Sequence, residues 1–160
     1  MKIIGSAAML MVGAATSHAE VQSAQEPIMA TGPCDPRSGV TIDDGELSSF
    51  ACDVVVVSRT DRGTVLIQFT DRAGDDGRIL GFAGTIEGRQ GFGADTTQVM
   101  AVERFYLGGG VEPVPAQRGT CIMNWTGLHR TGGRLVNVTC GGRGTAEGHD
   151  ITAMAVLTAE

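Results

Sequence analysis

Cys121 and Cys140 bracket the stretch GTCIMNWTGLHRTGGRLVNVTC, residues 119–140, and no other feature limits the fold of this chain so tightly. Apolar and polar residues alternate on both sides of the glycine-bearing centre LHRTGG, which is the pattern of a β-hairpin. A turn centred on residues 128–133 sets Cys121 opposite Cys140, Met123 opposite Val138 and Trp125 opposite Val136. Side chains alternate along a strand, so all six share one face. Ile122, Asn124 and Thr126, opposite Thr139, Asn137 and Leu135, take the other and more polar face. A slip of one residue would reverse every assignment. Directly opposed residues bring their Cα atoms about 4.5–5.5 Å apart, within reach of a disulfide. The spacing therefore predicts a Cys121–Cys140 bridge across the hairpin. The chain has four cysteines, so Cys34–Cys52 follows by elimination and ties the N-terminal lead-in to the first strong strand. The close C-x₂-C pairs of zinc sites and redox dithiols are absent, so no metal is expected on the cysteines.

Paired cysteines imply an oxidising compartment, and the N-terminus agrees. Lys2 precedes an apolar run from Ile3 to about Ala15, and small residues Ser17 and Ala19 stand before Glu20. This is the plan of a secretory signal peptide over residues 1–19; the run is short for a membrane span. The expectation is a periplasmic or secreted protein with no stable membrane insertion after cleavage. What remains is about 140 residues, one domain's worth. Residues 20–36, with Pro27, Pro33 and Pro36, read as a flexible lead-in, and 37–160 as a single β domain.

Beyond the lead-in the period is mostly two. The run FACDVVVVS, residues 50–58, carries four consecutive valines, and β-branched side chains favour strands. TVLIQFT, 64–70, returns as a second strand, and RILGFAG, 78–84, as a short third. DRAGDDG, 71–77, reads as a turn and EGRQGFGAD, 87–95, as a glycine-rich loop. Residues 96–107 fit a helix capped by Asp95 and stopped by Gly108, or a strand; the β-formers at their end favour the strand. GGGVEPVPAQRG, 108–119, reads as a long loop, and HDITAMAVLTA, 149–159, as a last strand. The fold class is all-β: an antiparallel β-sandwich or small β-barrel of about seven strands, stapled by disulfides. With 24 glycines and only seven aromatic residues, the core is thin and gains most from covalent staples.

Charge and residue types exclude several chemistries. The formal charge is −6, which disfavours nucleic acid and anionic membranes as partners. Lys2 is the only lysine and leaves with the signal peptide, so Schiff-base catalysis is excluded. The serines at 23, 38, 48, 49 and 58 lie in no G-x-S-x-G elbow. His129 and His149 read as solvated loop histidines. Asp71, Asp75 and Asp76 lack the alternate spacing of a calcium loop. GRQGFG, 88–93, lacks the lysine and hydroxyl of a phosphate loop. Two N-x-[ST] sequons, at Asn124 and Asn137, face each other in the hairpin, where two glycans would collide.

No catalytic residue and no cofactor is therefore expected. The leading expectation is an exported, non-enzymatic binding module, inhibitor-like or an envelope adaptor, that meets a protein partner through its loops. His129, Arg130, Arg134, Arg143 and Tyr106 are the candidate loop surface. A structural component of an envelope assembly is the alternative and predicts an exposed apolar strand edge. A small hydrolase using a histidine is the third reading and predicts a pocket that contains one.

Overall fold

The computed structural model describes residues 26–71, 78–92, 95–108, 112–127 and 133–160. The expected signal peptide, His129 and Arg130, and most of the DRAGDDG turn lie outside the described residues. Ten strands form: β1 (Ile28–Thr31), β2 (Gly39–Ile42), β3 (Ser48–Ser49), β4 (Val54–Arg59), β5 (Val65–Thr70), β6 (Ile79–Phe92), β7 (Asp95–Tyr106), β8 (Val114–Thr126), β9 (Arg134–Ala146) and β10 (His149–Thr158). All belong to one antiparallel sheet, in the order β1-β4-β5-β6-β7-β8-β9-β10-β2-β3. From β4 to β10 the strands follow one another as a simple meander. The sheet curls into a half-barrel.

The all-β reading and both disulfide pairings are observed, with Cα atoms 5.2 Å apart at Cys34–Cys52 and 4.0 Å apart at Cys121–Cys140. The strand count of about seven is corrected to ten. Two expected loops are strands instead. Residues 87–92 continue β6, and the run VPAQRG, 114–119, opens β8. Their small and polar residues carry little β-propensity, but pairing with β7 fixes them on one edge and irregularities in register absorb their glycines. Residues 95–106 are a strand. Ile28–Thr31, within the stretch read as lead-in, is β1 and pairs with the valine run of β4.

Register shifts at Ala83/Gly84, Ile86/Gly88, Ala101/Arg104 and Ala116/Arg118 bend the long strands, since each extra residue increases local twist. Gly84 sits at one of these shifts: a Cβ there would run into the carbonyl oxygen of Ala101. The chain between β1 and β2 then reaches the opposite margin of the meander. Cys34 bridges to Leu157, Asp35 N–H donates to Val156 O at 2.8 Å, and Glu160 N–H donates to Thr31 O at 2.9 Å. The Ser38 hydroxyl, wholly buried, accepts the Val156 N–H at 3.1 Å and seals the same seam.

One end of the curl is plugged. Phe69 at the end of β5, Phe82 near the start of β6 and Phe105 near the end of β7 are fully buried. Phe82 meets Phe69 edge-on with ring centroids 6.1 Å apart, and lies 6.4 Å from Phe105. Burying each ring stabilises by about 1.5–3 kcal/mol, and each aromatic pair adds about 0.5–1.5 kcal/mol. Cys121, Cys140 and Met100 fill the middle of the concave face.

Candidate functional site

The hairpin that held the tightest sequence constraint forms half the wall of a cavity. Cys121↔Cys140, Met123↔Val138 and Asn124↔Asn137 pair as the alternation requires. Beyond Asn124 the register shifts by one, so Trp125 faces Leu135 rather than Val136, and Thr126 faces Arg134 rather than Leu135. The bulge turns Leu135 into the core and leaves Val136 half-exposed on the other face. A longer side chain thus fills the concave side beneath Trp125. On the convex face the two sequon asparagines are engaged: Thr97 donates to Asn124 Oδ1 at 2.8 Å, and Asn137 Nδ2 donates to Leu157 O at 3.1 Å.

Cross-strand rows carry the concave face towards the end opposite the phenylalanine plug. Arg89, Gln98, Met123 and Val138 form one such row across four strands; Thr96, Trp125 and Leu135 form the next. Opposite them stand Ile28 of β1, Val57 and Arg59 of β4, and Val65 of β5, with Ile28 paired to Val57 and Arg59 to Val65. Between these walls lies a cavity of about 520 Å³, inside the range of about 300–1,000 Å³ usual for small-molecule sites. Its lining is mixed: Ile28, Val57, Val65, Ile86, Met123 and Trp125 stand beside Glu26, Arg59, Arg89 and Gln98. Ile28 is 39% exposed at the rim, together with Glu26, Arg59 and Arg89.

Two polar groups sit deep in the lining. Trp125 is 3% exposed, and its indole N–H has no hydrogen-bond partner among the described residues. Gln98 is also 3% exposed, and its side-chain amide bonds to no described residue. Such groups are normally satisfied inside proteins, because leaving one unpaired costs about 1–3 kcal/mol. At the rim, neither Arg59 nor Arg89 joins an ion pair or a side-chain hydrogen bond with a described residue.

The residues expected to form a loop surface are spread apart. Arg134 opens β9 and Arg143 stands nine positions along it, about 30 Å away at strand rise. Arg143 pairs with Asp150 at 2.8 Å. Tyr106 lies at Arg143's end of the sheet but two strands away, where its hydroxyl accepts from Arg104 Nε at 2.8 Å. The structure brings none of the three together. It joins His149 instead to Asp43, Nδ1 to Oδ2 at 2.6 Å, while Asp43 Oδ1 accepts the Asp150 N–H at 2.9 Å. The carboxylate holds the imidazole proton, so the pKa of His149 is raised and that of Asp43 lowered. Both side chains are more than half exposed. No hydroxyl or thiol hydrogen-bonds to His149 among the described residues, and no three metal-ligating side chains converge among them.

The sequence reading missed Arg59, Arg89, Gln98 and Trp125 as a group because they come from four strands with no common spacing. One local signal existed: Thr96 and Gln98 alternate with Met100 and Val102, placing polar residues on a buried face. No protein-family model matches the chain, and no curated protein or solved structure matches it.

Proposed function

We propose that the protein is an exported, non-enzymatic binding module, and that its recognition element is the cavity at the unplugged end of the curled sheet. A small barrel, periplasmic or secreted, is the form in which we place it. The margin-to-margin hydrogen bonds support barrel over sandwich. Two disulfides support an oxidising compartment. One observation carries the functional reading: a cavity of about 520 Å³ that opens to solvent sets Gln98 and two arginines, paired with no described residue, beside the buried apolar side chains Val57, Val65 and Met123.

The other readings have less beneath them. A structural assembly would use an exposed apolar strand edge; β1 does expose Ile28 and Met29, but it has four residues and the terminal β3 is two serines, the short edges that discourage pairing. A histidine hydrolase would need a nucleophile beside His149, whose neighbours among the described residues, Asp43 and Glu147, are carboxylates.

Trp125 is the single tryptophan, so its fluorescence reports the cavity directly. Titration with dodecanol, a neutral apolar probe, is expected to change the emission saturably at one site per chain. Ile86→Phe, which enlarges a half-buried wall residue, is expected to weaken that binding. An emission that stays flat overturns the cavity reading.

A further inference from the structure

Resting on the cavity reading above, we infer that the guest is a small amphipathic monocarboxylate, its apolar body in the cavity and its head group at the Arg59 and Arg89 guanidinium groups. The argument begins with charge. The chain as a whole is acidic, at −6, but the cavity reverses that balance: Arg59 and Arg89 line it against a single acid, Glu26. Neither arginine is neutralised by a described residue, and Glu26 forms no ion pair with either. Two unpaired cations at the mouth of an apolar space attract an anion from solution. A planar guanidinium matches a carboxylate through two parallel hydrogen bonds.

The walls fix the rest of the guest. Val57, Val65 and Met123 are buried and apolar, so the body of the guest is hydrocarbon. The amide of Gln98, in the same lining, can hold one further oxygen within the cavity. Glu26 on the rim repels a second negative charge, which selects a monoanion over a phosphate dianion. A cationic amphiphile has the single carboxylate of Glu26 to meet and two arginines to oppose it.

The test uses the oxidised mature chain and three probes of equal length below their micelle concentrations: dodecanoate, dodecanol and dodecylammonium. Trp125 emission is the readout. Dodecanoate is expected to bind about tenfold more tightly than dodecanol, one charge-assisted contact's worth, and dodecylammonium more weakly than either. Arg59→Gln and Arg89→Gln are each expected to weaken dodecanoate severalfold while leaving dodecanol unchanged. Raising the salt concentration on the unaltered protein is expected to weaken dodecanoate alone, a readout that needs no variant to fold. If dodecanol binds as well as dodecanoate, or the ammonium binds best, the carboxylate assignment is overturned and the cavity reading survives. If none of the three moves the emission, both fall.

Discussion

Removing the two disulfides one at a time separates what a crosslink does to the unfolded chain from what it does in the core. Cys34–Cys52 spans 18 positions and Cys121–Cys140 spans 19. A loop-entropy argument depends only on that span, and gives each bridge about 3 kcal/mol at 25 °C. The native surroundings differ. Cys121 and Cys140 are wholly buried on the concave face beside Met100, whereas Cys34 is half-buried at the seam. Replacing both partners by alanine at 121 and 140 therefore also removes two packed sulfurs, each comparable to a methylene at about 0.8 kcal/mol. Cys52 is buried too and adds one packed sulfur, so we expect Cys34→Ala/Cys52→Ala to cost about 4 kcal/mol and Cys121→Ala/Cys140→Ala about 4–5 kcal/mol. Urea unfolding of the oxidised protein, with slopes checked for two-state behaviour, measures both. A smaller loss at 121/140 than at 34/52 refutes the argument, because it would mean that the hairpin pairing holds those strands without the bond and that the sulfurs pack no better than a void.

Three further outcomes are expected. Phe82→Ala removes the ring between Phe69 and Phe105 and costs about 3–5 kcal/mol; calorimetry showing a loss below about 1 kcal/mol would mean the plug is not packed as described. Gly84→Val forces a side chain against the Ala101 carbonyl and costs about 2 kcal/mol or more, read as a lower urea midpoint, while the same change at Gly88, a β6 residue with open space around it, costs less. The His149–Asp43 pair gives a signed pH dependence. The His149 pKa lies above 6.5, so its contribution is complete below that pH and is lost as pH rises through the raised value. The Asp43 pKa lies below 3.8, so its contribution is complete above 3.8 and is lost as pH falls through the lowered value. NMR titration of the His149 ring should show a midpoint above 6.5 that drops on Asp43→Asn; an unmoved midpoint contradicts the pairing.

How far the sequence reveals this fold depends on whether the deciding contact is local. The hairpin register is legible through Asn124 because the disulfide, Met123 and Val138 all agree on one face. It fails at Trp125, where Leu135 and Val136 are both apolar and only the bulge decides which one turns inward. Residues 95–106 look ambiguous for a similar reason. The irregularity between Ala101 and Arg104 moves Phe105 onto the face of Met100 and Val102, so neither alternation is clean through the whole strand. β1 and β2 are illegible because four-residue strands carry little periodicity and their partners lie far along the chain. The cavity is illegible as a site for a further reason: it is defined by what curls together, and curvature is written in bulges rather than in side-chain type.

The seam carries a consequence for the order of assembly. β2 pairs with β10 across more than a hundred positions, and Glu160, the last residue, bonds back to Thr31. A chain made from its N-terminus therefore presents its sealing strand first and that strand's mate last. The meander from β4 to β10 can zip between sequence neighbours as it emerges, but closure must wait for β10, and contacts of such separation are slow to form. Until then the concave face stays open along one side. The interval between the release of β4 and the arrival of β10 is the period in which this protein is most exposed to wrong pairing, and the Cys34–Cys52 bond, made within the N-terminal segment itself, holds the strap in place through it.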